Sequence, residues 1–337
     1  MNRKLASVQT ILSVEPIEGA DKIEKIKVLG WTLVAQKDEF KPGDRCVFFE
    51  VDLLLPSENP NFAFMAKYNY RIRTIKLRGI LSQGLALPLS TMPEGYFYQD
   101  GDDVTDLIGV KKYEVLARFS SGPNSPKLQT WPFYVPKTDE TRIQSEPELL
   151  NEMKGLPYYI TTKMDGASAT YLYKDGFFKV CSRNNEVEYD ENSWYWQVAK
   201  KYDLENKFKV FGKNYAIQGE LCGPGIQKNR LNLKERDLFV FSAYNIDEQR
   251  YLNYKEMLYF IYAYNFGLEI VPQEEFPLTG FDYSLEQLLK MAQGKYLDTN
   301  NEKEGIVVRP LEETYSKTLK GRLSFKVLNN SYLLKEE

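Results

Sequence analysis

The segment KMDG places Lys163 at the end of a β-branched and aromatic run, and Asp165 and Gly166 follow it at once. A neutral lysine amine is a good nucleophile toward phosphorus, and the resulting P–N bond is easily broken again, so a lysine can carry a nucleotide briefly. The obstacle is protonation, because a lysine with a pKa of about 10.4 is neutral in only about one molecule in a thousand near pH 7.4. A nearby divalent cation disfavours the charged form. Nucleotide transfer by Lys163 therefore requires carboxylates that hold a metal, together with groups for phosphate and base.

Residues of these types follow Lys163 in chain order, within or next to predicted strands. They are Arg183, Glu220, Phe241, Glu304 and Lys326. Taken singly, each is most simply a solvated cation, a strand-end acid or a core aromatic, and K-x-D-G alone is a weak motif. Five such residues in this order are much less expected by chance. They would supply an aromatic face for a base, cations for phosphate and carboxylates for a hard metal.

Composition removes several other kinds of chemistry. The chain of 337 residues has no histidine, which excludes Ser-His-Asp hydrolysis, Cys-His chemistry and His-ligated metals. Its three cysteines, Cys46, Cys181 and Cys222, are far apart and form no CxxC pair, so neither a zinc cluster nor a disulfide framework is expected. The net charge of −3 gives no overall attraction to nucleic acid, so any attraction must come from local patches.

The candidate residues lie in six short motifs: KMDG, SRN, QGEL, FVFSAYNI, EGIVVR and SFKV. Together these resemble motifs I, Ia, III, IIIa, IV and V of the covalent nucleotidyltransferases, the superfamily of DNA ligases, RNA ligases and mRNA capping enzymes. The resemblance covers roughly residues 140–330. It implies that Lys163 attacks ATP and forms a lysyl–AMP adduct.

The resemblance also implies a role for each motif residue. Phe241 would stack on the adenine, Lys326 would contact the α-phosphate, and Arg183 would contact the ribose or metal-bound waters. The expected nucleotide-binding residues are Arg142, Thr162, Lys163, Arg183, Glu220, Phe241 and Lys326. The carboxylates expected at a Mg²⁺ or Mn²⁺ ion are Asp165, Glu220 and Glu304.

Two features depart from the superfamily pattern. Motif V is Ser324–Phe325–Lys326, where many relatives have Lys-x-Lys, and motif VI is missing, so another group must neutralise the leaving pyrophosphate. Arg142 is the first candidate, with Lys320 and Arg322 behind it. An interdomain salt bridge is an equally good interpretation of Arg142.

Domain order separates the branches of the superfamily. In DNA ligases and capping enzymes an OB domain follows the nucleotidyltransferase domain, whereas here eleven residues follow Lys326. Residues 1–115 read mostly as short strands with glycine punctuation, which predicts an OB-like β-barrel that binds nucleic acid. This order is similar to that of RNA ligase family 5, the ATP-dependent RNA ligases with an N-terminal OB domain.

Residues 116–337 mix strands and helices, so we predict an α+β adenylyltransferase domain after the barrel. Residues 120–147 are rich in Ser and Pro and indicate a linker or an ordered loop. Two capping-box patterns predict helix starts, Ser145 with Glu148 and Ser284 with Gln287. Helical spacing covers residues 192–208, 251–267 and 284–294. Strands are predicted within residues 158–187, 215–222, 237–246, 304–310 and 322–328.

A basic, aromatic-laced stretch in the first domain is the candidate surface for nucleic acid. No acidic residue occurs from Pro60 to Pro93. Such a stretch suits the tracking of a phosphate backbone, although the first and last pairs of its cations would face opposite sides of a regular strand unless a bulge intervenes. The cations are Lys67, Arg71, Arg73, Lys76 and Arg78.

These features predict an ATP-dependent RNA ligase that joins 3′-OH and 5′-phosphate ends, as in nick sealing or RNA repair. The alternatives are an ATP-dependent DNA ligase, a GTP-dependent capping enzyme and a non-catalytic RNA-binding relative. The N-terminus MNRKLASVQT has no apolar h-region, and no apolar run approaches a membrane span. We therefore expect a monomer of the cytoplasm or nucleus, with no membrane partner.

Overall fold

The computed structural model describes residues 4–113, 128–276 and 280–335. The chain divides into two compact units. The first comprises Met1–Ala117, Gln144–Pro147 and Leu333–Glu337, and the second comprises Arg118–Ile143 and Glu148–Tyr332. The predicted domain boundary at residues 115 and 116 lies outside the described residues.

The first unit is built from short strands, as its glycine-punctuated sequence predicts. The strands are β1 Ala6–Pro16, β2 Ile23–Val28, β3 Trp31–Gln36, β4 Arg45–Phe49, β5 Leu53–Leu54, β6 Arg71–Ile72, β7 Thr74–Leu77, β8 Ile80–Gln83, β9 Leu85–Pro88 and β10 Lys111–Lys112. Its helical segments are the 3₁₀ helices Pro60–Tyr68 and Leu89–Thr91 and the short α1 Thr105–Ile108.

One long strand, β1, organises the main sheet of this unit, whose order is β3-β2-β1-β4-β9. Residues 6–10 pair with β4, residues 11–16 pair with β2, and the register shifts between Ile11 and Ser13. A shift of this kind bends a strand and increases its twist, so β1 can belong to both halves of a curled sheet. Trp31 and Phe48 fill the core that the sheet covers. A second sheet, β10-β5-β6, and the hairpin β7-β8 complete the unit.

The second unit mixes helices and strands. Its strands are β11 Leu128–Thr130, β12 Thr141–Arg142, β13 Tyr158–Lys163, β14 Ala167–Lys174, β15 Phe177–Cys181, β16 Asn185–Val187, β17 Tyr215–Cys222, β18 Asp237–Asn245, β19 Arg250–Tyr251, β20 Glu269–Ile270, β21 Gln273–Glu275, β22 Gly305–Pro310, β23 Tyr315–Ser316, β24 Gly321–Arg322 and β25 Phe325–Leu328. The helices from this part of the chain onward are α2 Leu149–Met153, α3 Trp194–Lys201, α4 Leu204–Phe211, α5 Tyr254–Ala263, α6 Leu285–Met291 and α7 Asn330–Lys335.

Two sheets carry this unit. The large sheet has the order β11-β16-β15-β14-β17-β18-β19, with β20 also paired to β18, and the small sheet has the order β12-β25-β22-β13-β21. Tyr171 and Phe208 are fully buried where α3, α4 and α5 pack on the large sheet. Ile160 and Phe325 are fully buried under α6 on the small sheet. Each sheet therefore has its own core, and a connection that passes from one sheet to the other holds the functional motif.

The structure corrects three local predictions. The Ser145 capping box is wrong, because the Ser145 hydroxyl donates to Glu50 and α2 begins after Glu148 with no side-chain cap. The helix predicted over residues 192–208 is two helices, which break at Asp203 in a left-handed conformation (φ 53°). Residues 120–147, predicted to be a linker or an ordered loop, contain two short strands, β11 and β12. The Ser284 capping box, in contrast, is present with both of its hydrogen bonds.

None of the helices in the described ranges combines the length and the apolar character that a membrane crossing requires. The three cysteines are free thiols, and all three are buried.

Candidate active site

The KMDG segment is the connection between the two sheets of the second unit. Lys163 ends β13 in the small sheet, and Ala167 begins β14 in the large sheet, so Met164, Asp165 and Gly166 span the gap. A Cβ atom at Gly166 would lie 2.4 Å from the Leu221 carbonyl oxygen, far inside contact distance. Glycine is therefore required here, because the crossing chain passes directly against β17. The weak K-x-D-G motif thus has a packing reason for its last residue.

Strand pairing brings Glu304 to Lys163. In the antiparallel pair β13–β22, Lys163 lies opposite Gly305, so the residue before β22 projects at the same end of the small sheet. The Lys163 Nζ atom is 2.6 Å from Glu304 Oε2, and the two side chains are 21% and 18% exposed. Gly305 adopts φ 152°, and a Cβ atom there would lie 2.1 Å from the Val327 carbonyl oxygen. This close approach explains why a glycine must follow Glu304.

Tyr296 ties the ends of the two paired strands together. Its hydroxyl donates to the Lys163 carbonyl oxygen at 2.9 Å and accepts the Glu304 N–H at 3.1 Å. The side chain is buried, and burial, followed by the Glu304 charge, raises the pKa of Tyr296 far above the usual value for a tyrosine. The phenol therefore stays neutral and can serve both as donor and as acceptor. It fixes the backbone on which the lysine and its carboxylate stand.

Three carboxylates act electrostatically on Lys163. Burial disfavours the charged lysine, but Glu304 and Glu220 outweigh burial and, with Asp165, raise the pKa of Lys163 above its usual value. Burial raises the pKa of Glu220 to about 8, with Glu304 and Asp165 adding to the rise and Lys163 opposing it. Without substrate, Lys163 is therefore a protonated amine held by Glu304.

This donor set fits a hard divalent cation that is shared with a substrate. Across the described parts of the chain, no group of three or more His, Cys, Asp or Glu side chains is arranged to hold a metal by itself. Mg²⁺ commonly binds through one or two carboxylates together with substrate phosphates and waters. Burial is the main cause of the raised pKa of Glu220, and the charges of Glu304 and Asp165, which such a cation would offset, add to the rise. Glu220 and Glu304 are the residues that suit this role, and Mn²⁺ takes the same ligands.

Asp165 has protein partners on both carboxylate oxygens. Its Oδ1 accepts a hydrogen bond from the Tyr332 hydroxyl at 3.0 Å, and its Oδ2 lies 3.1 Å from Nε of Arg230. The Arg230 guanidinium also lies over the Tyr332 ring, 4.7 Å from its centroid. All three side chains are buried. In this structure Asp165 thus anchors the KMDG connection, and its expected contact with a metal stays a prediction.

Thr162 faces a different network. Its hydroxyl donates to Glu274 Oε1 at 2.6 Å, and the same carboxylate forms an ion pair with buried Lys303 at 2.8 Å. This network lies immediately before the lysine in β13 and immediately before Glu304 ahead of β22. The expected nucleotide contact of Thr162 remains a prediction, while its hydroxyl holds the neighbouring β21 against β13.

The large sheet contributes the aromatic wall. Phe241 lies on β18 at the point where the register with β17 shifts, and it packs with Met164 in a small apolar cluster beside the lysine. The Phe241 carbonyl accepts a hydrogen bond from Nη1 of Arg309 at 2.8 Å. Arg309 is 2% exposed and pairs with Glu140 at 2.6 Å. Arg309 therefore connects the large sheet to the small sheet behind the predicted adenine position.

The other cations predicted to bind the nucleotide lie at two different places in the second unit. Arg183 is exposed, forms an ion pair with Asp139, and lies close enough to Glu220 to lower the pKa of that carboxyl. Arg142 is buried on β12, opposite Lys326 on the adjacent β25, so these two predicted phosphate-binding residues come together.

Arg322 and Lys320 were the next candidates after Arg142 for contact with the pyrophosphate, and their surroundings differ from those of Arg142. Arg322 donates to Ser242 at 2.8 Å, pairs with Glu313 and stacks on Tyr251. It is thus engaged by its own protein neighbours. Lys320 lies in a turn with φ 49°.

The five cations predicted to bind nucleic acid fall into two groups in the first unit. Lys67 lies in the last turn of a 3₁₀ helix, Arg71 lies in β6, and Arg73 directly follows that strand. Lys76 and Arg78 are exposed on the β7–β8 hairpin, with Arg78 in its turn. The two groups lie on separate strands of different sheets, because β6 belongs to β10-β5-β6 and β7 pairs with β8, so the sequence prediction of one regular strand through all of these cations does not apply.

The sequence did not point to several residues that build this site. Tyr296 and Arg230 lie outside the quoted motifs and meet their partners across long stretches of chain. Arg309, in contrast, carried a signal, because an arginine inside the apolar strand GIVVRP must find a buried partner. Lys303 carried a weaker one as the residue before Glu304.

Family models match two separate parts of the chain. A family model described as RNA ligase matches residues 156–328, and a model for an OB-fold domain matches residues 5–89. No curated protein sequence matches the chain.

Solved structures of one protein match along nearly the entire chain. Naegleria gruberi RNA ligase with PPi is 35% identical over 99% of both chains, with a TM-score of 0.89. A mutant of that ligase with ATP and Mn is 35% identical over 98% of this chain and 99% of that chain, with a TM-score of 0.90. Another mutant, with AMP and Mn, is 34% identical over 99% of both chains, with a TM-score of 0.87. The predicted fold class, an OB-fold domain followed by an α+β ligase domain, is confirmed, and the chain belongs to the RNA ligase family.

Proposed function

We propose that this protein is an ATP-dependent RNA ligase that joins a 3′-OH end to a 5′-phosphate end through a lysyl–AMP intermediate. The observation that carries the proposal is the Lys163–Glu304 pair, 2.6 Å apart, among the carboxylates of motifs I, III and IV. The solved relatives with ATP and Mn, AMP and Mn, and PPi support it, because these ligands are the substrate, retained group and leaving group of such a step.

In the first step the Lys163 Nζ atom attacks the α-phosphorus of ATP, the N–P bond forms, and the bond to pyrophosphate breaks. The amine must first lose its proton, because Glu304 holds it as an ammonium group in the free protein. A bound Mg²⁺ or Mn²⁺ would supply Lewis-acid stabilisation of the phosphate oxygens and would disfavour the charged lysine. Phe241 would carry the adenine, and Lys326 would meet the α-phosphate, with Arg142 as the candidate for the pyrophosphate.

In the second step the AMP passes from Nζ to a 5′-phosphate end, so the N–P bond breaks and a P–O–P bond forms. In the third step a 3′-hydroxyl attacks the activated 5′-phosphate, a phosphodiester forms, and AMP leaves. All three steps are displacements at phosphorus and need positioned charge more than covalent chemistry from further residues. The rigid strand ends that carry Lys163 and Glu304 suit that requirement.

We also propose a division of labour between the units. The adenylylation motifs lie in the second unit, whereas the basic stretch from Pro60 to Pro93 lies in the first. The first unit would bind RNA, and the second unit would bind ATP. The predicted domain assignment, the RNA partner, the monomeric state and a cytoplasmic or nuclear location all belong to this proposal.

The test is a sealing assay on three nicked duplexes of one sequence: all RNA, all DNA, and DNA with ribonucleotides on the 3′-OH side. Each is incubated with ATP, GTP or NAD and with Mg²⁺ or Mn²⁺. We expect sealing with ATP on nicks that have a 3′ ribonucleotide. Equal sealing of the all-DNA nick would favour the DNA ligase alternative, and no covalent nucleotide adduct under any condition would favour a non-catalytic relative.

A further inference from the structure

A cavity lined by cationic and aromatic side chains lies in the first unit. It lies at the three-stranded sheet β10-β5-β6 and not on the five-stranded sheet. Its volume is about 260 Å³. The side chains and backbone that line it are Leu54, Lys67, Tyr68, Asn69, Arg71, Arg73 and Tyr113. Three of these seven residues are cations and two are tyrosines.

The backbone conformation between the 3₁₀ helix and β6 creates this arrangement. Asn69 (φ 52°) and Tyr70 (φ 57°) are both left-handed, and their N–H groups return to the helix at Ala66 and Met65. The chain therefore reverses within two residues. As a result Lys67 and Tyr68 from the helix end face the same opening as Arg71 from the strand.

Arg71 helps to build the wall of the cavity. Its guanidinium lies over the Tyr113 ring at 3.8 Å from the centroid and faces Asp52 at 3.8 Å. These partners fix the Tyr113 ring in the wall of the cavity. Arg71 is therefore a positioning residue here, and the mouth is formed by other side chains.

Lys67 and Tyr68 form that mouth. Both are exposed, Tyr68 to 41%, and the Lys67 ammonium lies 4.9 Å from the centre of the Tyr68 ring. An exposed aromatic ring beside cations is a platform on which a nucleobase can stack while its phosphate is neutralised. The chain segment from Pro60 to Pro93, which supplies most of this surface, contains cations and no acidic residue.

We propose that this cavity binds one unpaired nucleotide of an RNA strand, with the base against Tyr68 and the adjoining phosphate between Lys67 and Arg73. The proposal rests on the proposed function for the identity of the nucleic acid as RNA. A cavity of about 260 Å³ is just below the range of roughly 300–1,000 Å³ that drug-sized ligands occupy, so it suits one nucleotide rather than a duplex. A base inside a duplex has no free face to offer, so the cavity selects frayed or single-stranded RNA next to the paired region.

The second group of cations supplies a matched contrast. Lys76 and Arg78 are exposed on the β7–β8 hairpin, and neither lines the cavity. They carry the same total charge as Lys67 and Arg73. Two cations on an open hairpin can bind the phosphates of single or double strands, because these contacts depend on charge and not on whether the bases are paired.

The experiment measures equilibrium binding of a labelled single-stranded oligoribonucleotide and of a blunt RNA duplex of the same sequence, each across a salt series. The variants are Tyr68→Ala, Tyr68→Phe, the pair Lys67→Gln with Arg73→Gln, and the control pair Lys76→Gln with Arg78→Gln. Thermal unfolding of each variant verifies that it is folded.

We expect Tyr68→Ala to weaken single-strand binding by about 5- to 100-fold with an unchanged salt slope, and to leave duplex binding within about twofold. Tyr68→Phe should bind as the wild type does, because the ring remains. The Lys67/Arg73 pair should lower the single-strand salt slope by about 0.7, the value for the one phosphate that the two cations share, and should affect the single strand more than the duplex. The control pair should affect both probes alike.

Equal losses for Tyr68→Ala on both probes, or no loss on the single strand, would overturn the proposal. So would identical behaviour of the two double variants. Formation of a lysyl–AMP adduct by the wild-type protein tests the proposed function separately, since the binding measurements use no ATP. If the protein binds the single strand through Tyr68 but forms no adduct, the nucleotide-binding role of the cavity is supported and the proposed ligase function is contradicted.

Discussion

The charged side chains around Lys163 and the cations of the first unit differ in how far their charges are already balanced. Lys163 and Glu304 are mostly buried, 2.6 Å apart, and each alters the ionisation of its neighbours. Lys76 and Arg78 are exposed on a hairpin, within a stretch that has no acidic residue. The first arrangement must be rearranged by a phosphate-bearing substrate before it acts, whereas the second attracts phosphate without rearrangement. This difference favours the proposed division of labour, with covalent chemistry at Lys163 and capture of the polynucleotide at the cations of the first unit.

The largest effect is expected from Lys163. Lys163→Ala removes the nucleophile and Lys163→Arg replaces it with a guanidinium that stays protonated, so neither variant should form a protein–AMP adduct with labelled ATP. Lys154→Ala, at an exposed lysine in the same unit, is the control and should label normally. A labelled adduct in either Lys163 variant would show that another residue carries the AMP.

The next effect is expected from Glu304. Glu304→Gln keeps the shape but loses the charge that faces Lys163 and suits a metal, so adduct formation should fall by about 100- to 1,000-fold. Glu286→Gln, an exposed change on α6, should have no effect. The initial rate of labelling at saturating ATP and Mg²⁺ measures both. A Glu304→Gln protein that works near the wild-type rate would make this carboxylate structural.

A smaller effect is expected from the sugar at the nick. Replacing the ribonucleotides on the 3′-OH side by deoxyribonucleotides should slow sealing by more than about tenfold, because a site that hydrogen-bonds a hydroxyl rejects the analogue that lacks it. The same replacement on the 5′-phosphate side is the control. Equal sealing rates on all substrates would contradict the predicted preference for RNA at the 3′-OH side of the nick.

The cations of the first unit should change binding more gradually. Neutralising Arg71, Arg73, Lys76 and Arg78 together should weaken nick binding and lower its salt slope by up to about 2.7, since about 0.9 is lost for each duplex phosphate contact of the last three cations and Arg71 is held by Tyr113 and Asp52. The matched control removes four exposed lysines of the same unit: Lys22, Lys37, Lys41 and Lys111. Equal effects of the two sets would mean that net charge, rather than this surface, holds the nick.

The smallest effect on chemistry is expected behind the site, at Glu140. Burial would raise the pKa of Glu140, but Arg309 and Arg322 outweigh it and hold the pKa below the usual value for a glutamate. The carboxylate therefore stabilises the fold above the usual pKa, and this contribution is lost as pH falls through the lowered value. Glu140→Gln should lower the free energy of unfolding at pH 7 by about 3 kcal/mol, because Arg309 is left buried without its counter-charge.

Denaturant unfolding between pH 7 and pH 3 checks this prediction. The difference between wild type and Glu140→Gln should shrink as the pH falls, and Glu191→Gln, at an exposed position, should follow the wild type throughout. A constant difference at every pH would mean that shape rather than charge links Glu140 to Arg309.

Residues that act through their own strand could be predicted from the sequence. Lys163 and Glu304 were both expected at strand ends, and the antiparallel pair β13–β22 brings those ends together. The Ser284 capping box is equally local and is confirmed. Short-range patterns carry this information because the partners are fixed by backbone geometry rather than by the rest of the fold.

Residues that depend on a distant partner could not be found in this way. Ser145 matched a capping box, but Glu50, far away in the sequence, takes its hydroxyl. Tyr296 contacts Lys163 across 133 positions, and no spacing rule points to it. The orientation of Asp165 toward Arg230 and Tyr332 likewise follows from tertiary packing. The candidate site was thus visible as a set of motifs, while its supporting contacts required the structure.

The central claim is that Lys163 is the residue that carries AMP. The most direct measurement incubates the intact protein with ATP and Mg²⁺, digests it, and locates the added AMP by mass spectrometry of the peptides. The account predicts a single modified site, at Lys163, that disappears when pyrophosphate is added and ATP is regenerated. An adduct at any other lysine, or an adduct that pyrophosphate does not reverse, would contradict it.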